Sequence, residues 1–550
     1  MKKKFFIFFL LIFYFFFQLS SLDYGTKIND INYIKNSHLD EETIKNFVQS
    51  KQALKQTDIK NNNEKWVYRY KLYSVNADEI MPIMALSKIK INEKKFDPQV
   101  YKYGGAFLYP LGIYYYSLIK LKIIDNVNVK TIINNKDLID SIYFHGRLFI
   151  LLCFIFSALV LYKILKFVTK ENYALVFTAI YLIAPSSIMY SQIIKPNWYA
   201  LLWFNLSILY ICKFFNLKFI GQLKNNYEKN FNKKKIYLLL ISIFLGLAIG
   251  SSILFIPVFI LILFIIFDEL DVSMRSWLID RWYRNDAFKF LIIPSLIIFF
   301  ITNPYILINF SDFINESSGE YSWVIKGIKF KNIFLFFHNS FFLGFGLILS
   351  LTFFYYLLKG LLKSSKIFIK GTLIENRISI VIICLILFGA VISGFDDWHI
   401  QFRYIPYILP ISLIYLAHKI KNYKFVLFIF FTTFLQAIPL KLAFYDENIL
   451  KHSTRFNSAK WINDNIIEKN KSICKKDFSP FDFPPINFNE AKVEKDCDFG
   501  IHVLRHPKKI KEYNNKKIIK KFEPRYQFSN IPLVFSHINP LIIIVENLNE

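Results

Sequence analysis

Two adjacent carboxylates, Asp78-Glu79, and a third at Asp97 stand in a polar stretch that leads into Tyr101-Lys102-Tyr103-Gly104-Gly105 and Tyr109-Pro110. A carboxylate at a membrane surface can take a proton from an acceptor hydroxyl, or hold a divalent cation that offsets phosphate charge. The rings of Tyr101, Tyr103 and Tyr109 suit stacking against a sugar, and the glycines suit a close backbone approach or helix packing in lipid. Plainer readings stand beside these: Asp78 as the cap of a helix over 79–88, and Asp97 as a turn residue before Pro98. Cations, with two further carboxylates beside them, form a second set. His145 and Arg147 open one apolar run, Lys195 precedes Pro196-Asn197 at the start of another, and Asp396, Asp397, His399 and Arg403 flank a third. Such groups can contact a phosphate or pyrophosphate, or serve as snorkelling anchors at span ends.

The elements that position these residues are read from composition. A chain of 550 residues that is 54% hydrophobic and 19% aromatic, with apolar runs of about twenty residues along most of its length, is no soluble globule. It reads as a polytopic α-helical membrane protein. The net charge of +27 resides largely in lysines between apolar runs, where it sets membrane orientation. No recognition motif accompanies it, so nucleic acid is excluded as a partner. Heavy use of Lys, Asn, Ile and Phe inflates the charge further as a compositional bias.

Met1-Lys2-Lys3-Lys4 and the run to about Leu19 read as an uncleaved first span, followed by spans near 143–163, 172–190, 197–215, 236–250, 252–268, 289–308, 333–358, 378–395, 403–418 and 424–442. That makes about eleven. With the N-terminus cytoplasmic, the basic loops 163–170, 213–235, 275–289, 359–377 and 419–424 fall on the cytoplasmic side of a cell inner (plasma) membrane. The large loop 20–142, the turns 191–196 and 395–401, the segment 309–332 and the tail then lie on the external face, and the aromatic stretch 107–119 reads as re-entrant or interfacial. Residues 1–445 form the membrane domain and 446–550 a small extracytoplasmic α/β domain, with strands suggested at 532–535 and 541–545. Cys153, Cys212 and Cys384 lie in apolar runs; Cys474 and Cys497 lie in the tail, where an oxidising compartment would let them close a loop of about 24 residues.

The landmarks Asp78-Glu79, Phe96-Asp97-Pro98 through Tyr109-Pro110, Arg147-Leu148, Ser187 through Ser191 with Lys195-Pro196-Asn197, Thr302-Asn303-Pro304-Tyr305 with Asp312-Phe313, Arg403-Tyr404-Ile405-Pro406 and Ser458 through Ile462 occur in a fixed order. In this the chain resembles the GT-C superfamily of polyprenyl-phosphate-sugar-dependent glycosyltransferases. The likeness is to bacterial relatives of dolichyl-phosphate-mannose protein mannosyltransferases and of the aminoarabinose transferase that modifies lipid A. The resemblance spans most of 70–465, although Ser74 to Ala77 lack the histidine or proline often found before the acidic pair.

The resemblance implies an inverting hexosyl or pentosyl transfer from a polyprenyl-phosphate donor to a glycan, lipid or protein acceptor on the extracytoplasmic side. Asp78 would be the base or a metal ligand, assisted by Glu79 and Asp97. Arg147, Lys195, His399 and Arg403 would hold the donor phosphate, and Tyr101, Tyr103 and Tyr109 would line the substrate path. Members differ in their need for a divalent metal such as Mg or Mn. The competing readings are a ligase or polymerase of lipid-linked polysaccharide, a transporter or flippase, and a scaffold with a partner-binding tail.

Overall fold

The structure is a computed structural model describing residues 2–25, 70–72, 74–76, 78–125, 135–221, 227–260, 262, 288–321, 328–365, 373–394, 402–475, 483–488, 490–494, 497–504, 510–511, 513, 516–526 and 538–546. Its helices are α1 (Lys2–Leu19), α2 (Ile80–Lys88), α3 (Gly105–Lys120), α4 (Lys136–Val168), α5 (Glu171–Ile183), α6 (Pro185–Tyr190), α7 (Pro196–Gly221), α8 (Tyr227–Ser251) and α9 (Ile293–Thr302). Next come α10 (Pro304–Ile308), α11 (Phe310–Tyr321), α12 (Phe330–Phe337), α13 (Leu347–Ser365), α14 (Leu373–Gly394), α15 (Ile408–Lys419), α16 (Tyr423–Asn448) and α17 (Thr454–Ile462).

Among the described residues, four helices are long and apolar enough to cross a membrane: Asp137–Val168, Pro196–Phe215, Lys233–Ser251 and Tyr423–Asn448. The pair Phe330–Leu343 and Leu347–Leu362, bent by 112°, is a fifth if counted as one broken span. Shorter apolar helices occupy Phe5–Leu19, Glu171–Ile183, Phe288–Thr302, Val381–Gly394 and Ile408–Lys419. Of the expected run 252–268, residues 252–260 and 262 are described, and 261 and 263–268 lie outside the described residues. At 33 residues α4 is about 50 Å long, well over the roughly 30 Å of a hydrocarbon core.

Prolines set the breaks. Ala184 and Asn303 precede Pro185 and Pro304 and leave the helical region (Asn303 at φ −128°, ψ 53°), because a proline ring disfavours helix at the residue before it. Asn303 meets the backbone this exposes: its Nδ2 donates to the Phe299 carbonyl at 2.9 Å and its Oδ1 accepts from the Gly105 amide at 2.7 Å. A Cβ at Gly104 would lie 1.8 Å from the Gly250 carbonyl oxygen, and one at Gly105 2.0 Å from that of Thr302. These glycines permit close approach to protein backbone, seating the start of α3 against α8 and α9. The stretch 107–119, expected to be re-entrant or interfacial, is the body of α3.

After α16, which runs three residues beyond the expected boundary at 445, the chain builds a five-stranded sheet. Its strands are β1 (Ser472–Lys475), β2 (Lys492–Val493), β3 (Phe499–Leu504), β4 (Ile518–Phe522) and β5 (Leu541–Glu546), in the order β2-β1-β3-β5-β4. β1 pairs in parallel with β2 and β3, while β5 is antiparallel to β3 and β4. Residues 541–545 of β5 are all buried, as an unbroken apolar run in a central strand requires. The other suggested strand, 532–535, lies outside the described residues. Cys474 and Cys497 are disulfide-bonded, with Cα atoms 5.4 Å apart.

Candidate functional site

A tight turn before α2 separates the two acidic neighbours. The Ser74 hydroxyl accepts from the Asn76 amide at 3.1 Å, the Asn76 side chain accepts from the Asp78 amide at 3.2 Å, and the Asn76 carbonyl accepts from the Glu79 amide at 3.1 Å. Glu79, not Asp78, holds the N-cap position of α2, and no side chain caps that helix. The capping explanation of Asp78 is therefore corrected: its carboxylate points to other partners.

Those partners are Lys195 and Arg403, which lie 117 and 325 positions away in sequence. Lys195 Nζ donates to Asp78 Oδ2, and Arg403 Nη1 donates to the same oxygen at 2.7 Å. Among the described residues Oδ1 receives no protein donor, and the Asp78 side chain is 41% exposed. Lys195 closes the turn between α6 and α7. Arg403 sits in a short 3-10 turn, Phe402–Tyr404, where its Nη2 donates to the Tyr404 hydroxyl at 3.0 Å and its carbonyl accepts from Asn197 Nδ2 at 2.8 Å.

Burial alone would raise the Asp78 pKa, but the Lys195 and Arg403 charges outweigh it and hold the carboxyl well below its usual range. Burial, reinforced by Arg403 and by the nearby Lys102, lowers the Lys195 ammonium to about 8 against the pull of Asp78. Arg403, despite burial, is pushed up by the Tyr404 hydroxyl and the Asp78 charge. Two cations with a third close by, facing one carboxylate, leave the site net positive, as an anion site requires.

Glu79 and Arg147 form a different assembly directly beneath. Both are fully buried, with Arg147 Nε 2.9 Å from Glu79 Oε1 and Nη2 2.6 Å from Oε2. Arg147 Nη1 donates to the carbonyls of Leu22 and Tyr24 at 2.7 and 2.8 Å, and its guanidinium lies 3.8 Å from the Tyr24 ring centroid. Glu79 also accepts from the Ser74 hydroxyl at 2.6 Å and the Ile194 amide at 3.1 Å. The pair thus fastens the turn carrying Asp78 to the residue before Lys195. The expectation that Arg147 contacts donor phosphate, and that Glu79 assists at the reacting atoms, is not what this geometry offers: neither has exposed surface.

Asp97 is held apart from Asp78. Its Oδ2 accepts from Asn309 Nδ2 at 2.7 Å and from the Tyr101 hydroxyl at 3.3 Å, and the Tyr101 amide donates to Glu316 at 2.7 Å. This group latches the first loop to the α10–α11 turn. Tyr101 and Tyr103 are buried, leaving little ring face for a ligand, and the half-buried Tyr109 donates to the Phe96 carbonyl at 3.3 Å. His399, with Asp396 and Asp397, lies outside the described residues. Sequence reasoning missed Tyr404, Asn197 and Lys102 as site members, although each adjoins a residue or motif it had singled out. For a divalent cation the fit is poor: among the described residues no three His, Cys, Asp or Glu side chains gather, and Asp78 already faces two cations.

The family model for PMT, dolichyl-phosphate-mannose-protein mannosyltransferase, matches residues 111–310, a segment that contains Arg147, Lys195, Asn197 and Asn303. The chain is similar to that glycosyltransferase family over this part of its length. Among solved structures it is similar to ArnT from Cupriavidus metallidurans in the apo state, at 9% identity and a TM-score of 0.43, covering 85% of this chain and 92% of that one. It is also similar to ArnT from the same organism bound to undecaprenyl phosphate, at 9% identity and a TM-score of 0.42, covering 86% and 93%. No curated protein matches the chain.

Proposed function

We propose that the chain is an integral membrane glycosyltransferase that moves a sugar from a polyprenyl-phosphate donor to an acceptor hydroxyl on the extracytoplasmic side. The observation that carries this is the half-buried Asp78 carboxylate, bridged through one oxygen by Lys195 and Arg403 while its other oxygen receives no donor among the described residues.

A carboxylate so strongly acidified is a weak base, and the donor remedies that. Its phosphate competes for Lys195 and Arg403, and as they turn to it the basicity of Asp78 rises. The acceptor oxygen then attacks the anomeric carbon, its proton passes to Asp78, and the bond to the phosphate oxygen breaks. Lys195 and Arg403 stabilise the charge gathering on the leaving phosphate. Attack opposite the leaving group inverts the configuration. Tyr404 and Asn197 fix the Arg403 turn, and the Glu79–Arg147 pair keeps Asp78 and Lys195 in register.

The reaction face is the one holding the first loop and the tail, with the N-terminus cytoplasmic in the inner membrane and residues 446–550 forming an external domain. The alternation of basic loops and the Cys474–Cys497 disulfide support this orientation. The test is lipid and glycan profiling of membranes with the protein, without it, and with Asp78→Asn at equal abundance. Loss of one glycan modification, with a polyprenyl-monophosphate sugar accumulating in both the null and the variant, is expected. Transfer by the variant at the parent rate would remove Asp78 from the chemistry, and the absence of any lipid-linked sugar would overturn the donor class.

A further inference from the structure

A cleft of about 490 Å³ opens between α1, α5 and α16. Phe9 and Phe13, Leu175 and Val176, and Leu427 and Phe430 form its walls. It lies at the opposite end of the bundle from Asp78, because all three helices lead from it toward the reaction site. α1 ends near Leu22, whose carbonyl binds Arg147, and α5 continues through α6 to Lys195. α16 reaches Lys441, which donates to the Gln18 carbonyl at 3.3 Å.

The mouth of the cleft, at Asn172 and Tyr423, is rimmed by positive charge. Lys170 precedes α5, and Lys421 and Lys424 flank the start of α16; all three are exposed. The Tyr173 hydroxyl donates to the Lys421 carbonyl at 2.6 Å and so binds the two turns together. Glu171, the carboxylate beside Lys170, lies 3.4 Å from Lys166 and accepts from the Tyr162 hydroxyl at 2.9 Å.

We propose that this cleft binds an anionic phospholipid, with an acyl chain against the phenylalanines of α1 and the phosphate at Lys170, Lys421 and Lys424. The walls offer dispersion contact to hydrocarbon, while a rim of one sign selects a headgroup of the other. The depth agrees: from Phe6 to Phe13 the cleft follows about 10 Å of helix, part of one leaflet. The 18-residue length of α1, about 27 Å, separates this rim from the cations that face Asp78, so a donor phosphate held there does not occupy this site.

The test uses the full-length protein purified in detergent, with dioleoylphosphatidylglycerol or dioleoylphosphatidylcholine added, read by native mass spectrometry and thermal unfolding. The phosphatidylglycerol is expected to be retained and to raise the melting temperature, and the phosphatidylcholine to do neither. Each of Lys170→Gln, Lys421→Gln and Lys424→Gln should weaken retention about fivefold without moving the lipid-free melting temperature. Val176→Trp, which fills the cleft, should abolish it. Equal retention of both lipids, or an undiminished preference in the triple lysine variant, overturns the proposal. Displacement of phosphatidylglycerol by an equimolar polyprenyl phosphate assigns the cleft to the donor lipid and overturns it too, as does a protein dimer that Val176→Trp dissociates with lipid retention unchanged.

Discussion

Asp78 and Glu79 share a peptide bond and have opposite surroundings. The Asp78 side chain is 41% exposed, with two cations on one oxygen; Glu79 has no exposed surface and receives Arg147, the Ser74 hydroxyl and the Ile194 amide. An open lone pair on a charged oxygen can accept a proton, whereas a carboxylate with every oxygen engaged can only hold its neighbours in place. The pair therefore divides chemistry from architecture, and the two halves should fail in different ways.

The largest effect on transfer is expected from Asp78→Asn. Loss of a general base costs about 10²- to 10⁴-fold in rate, here with unchanged protein abundance in the membrane. A donor-turnover assay against an abundance blot checks both. Arg147→Leu should show the contrasting signature. Leaving Glu79 charged and unpaired in the interior costs about 3–5 kcal/mol, so abundance and thermal stability fall together. The double variant Glu79→Leu/Arg147→Leu should recover part of that stability, since it carries no orphaned charge, but not all of it, because the Leu22 and Tyr24 carbonyls and the Ile194 amide lose their partners. If Arg147→Leu instead left the protein stable and raised only the donor KM, the division between the neighbours would collapse.

A smaller, pH-dependent effect belongs to Lys195. With its ammonium lowered to about 8, the cation is present below that pH and lost above it, so kcat/KM should fall on the alkaline side with an inflection near 8. Folding responds with the opposite sign. The unfolded chain keeps this proton up to the ordinary 10.5, so between about 8 and 10.5 it binds more protons than the folded state, and the Lys195 contribution to stability rises with pH. Lys195→Arg, which stays charged, should move the activity limb to higher pH. A limb that does not move would detach Lys195 from the donor.

The smallest effect on transfer is expected from Cys474→Ser. Opening the disulfide should destabilise the sheet by about 3 kcal/mol, measurable as earlier proteolysis of the tail, with donor turnover close to that of the parent. A large loss of turnover would tie the tail to acceptor access.

Much of the helical framework was legible because apolar run length and proline punctuation are local signals. Helices occupy the expected runs at 143–163, 197–215, 236–250 and 424–442, and the strand at 541–545 was visible as an unbroken apolar run. The acidic pair was legible as a feature, as were Lys195 and Arg403 as cations at span ends. Local pattern failed over the roles of Glu79 and Arg147, since nothing in the spacing tells a buried ion pair from an exposed one. It failed likewise over Tyr101 and Tyr103, whose rings are covered by packing that their own segment does not encode.

By itself the sequence determined a polytopic helical chain with basic loops and a strand-forming tail, because length, hydropathy and charge act within a few turns of backbone. Only the tertiary structure decided which carboxylate turns outward, and that Lys195 and Arg403, 117 and 325 positions from Asp78, converge on one oxygen. Such convergence depends on helices packing against one another. The energy that selects it is shared among contacts distant in sequence, and these leave no periodic trace along the chain.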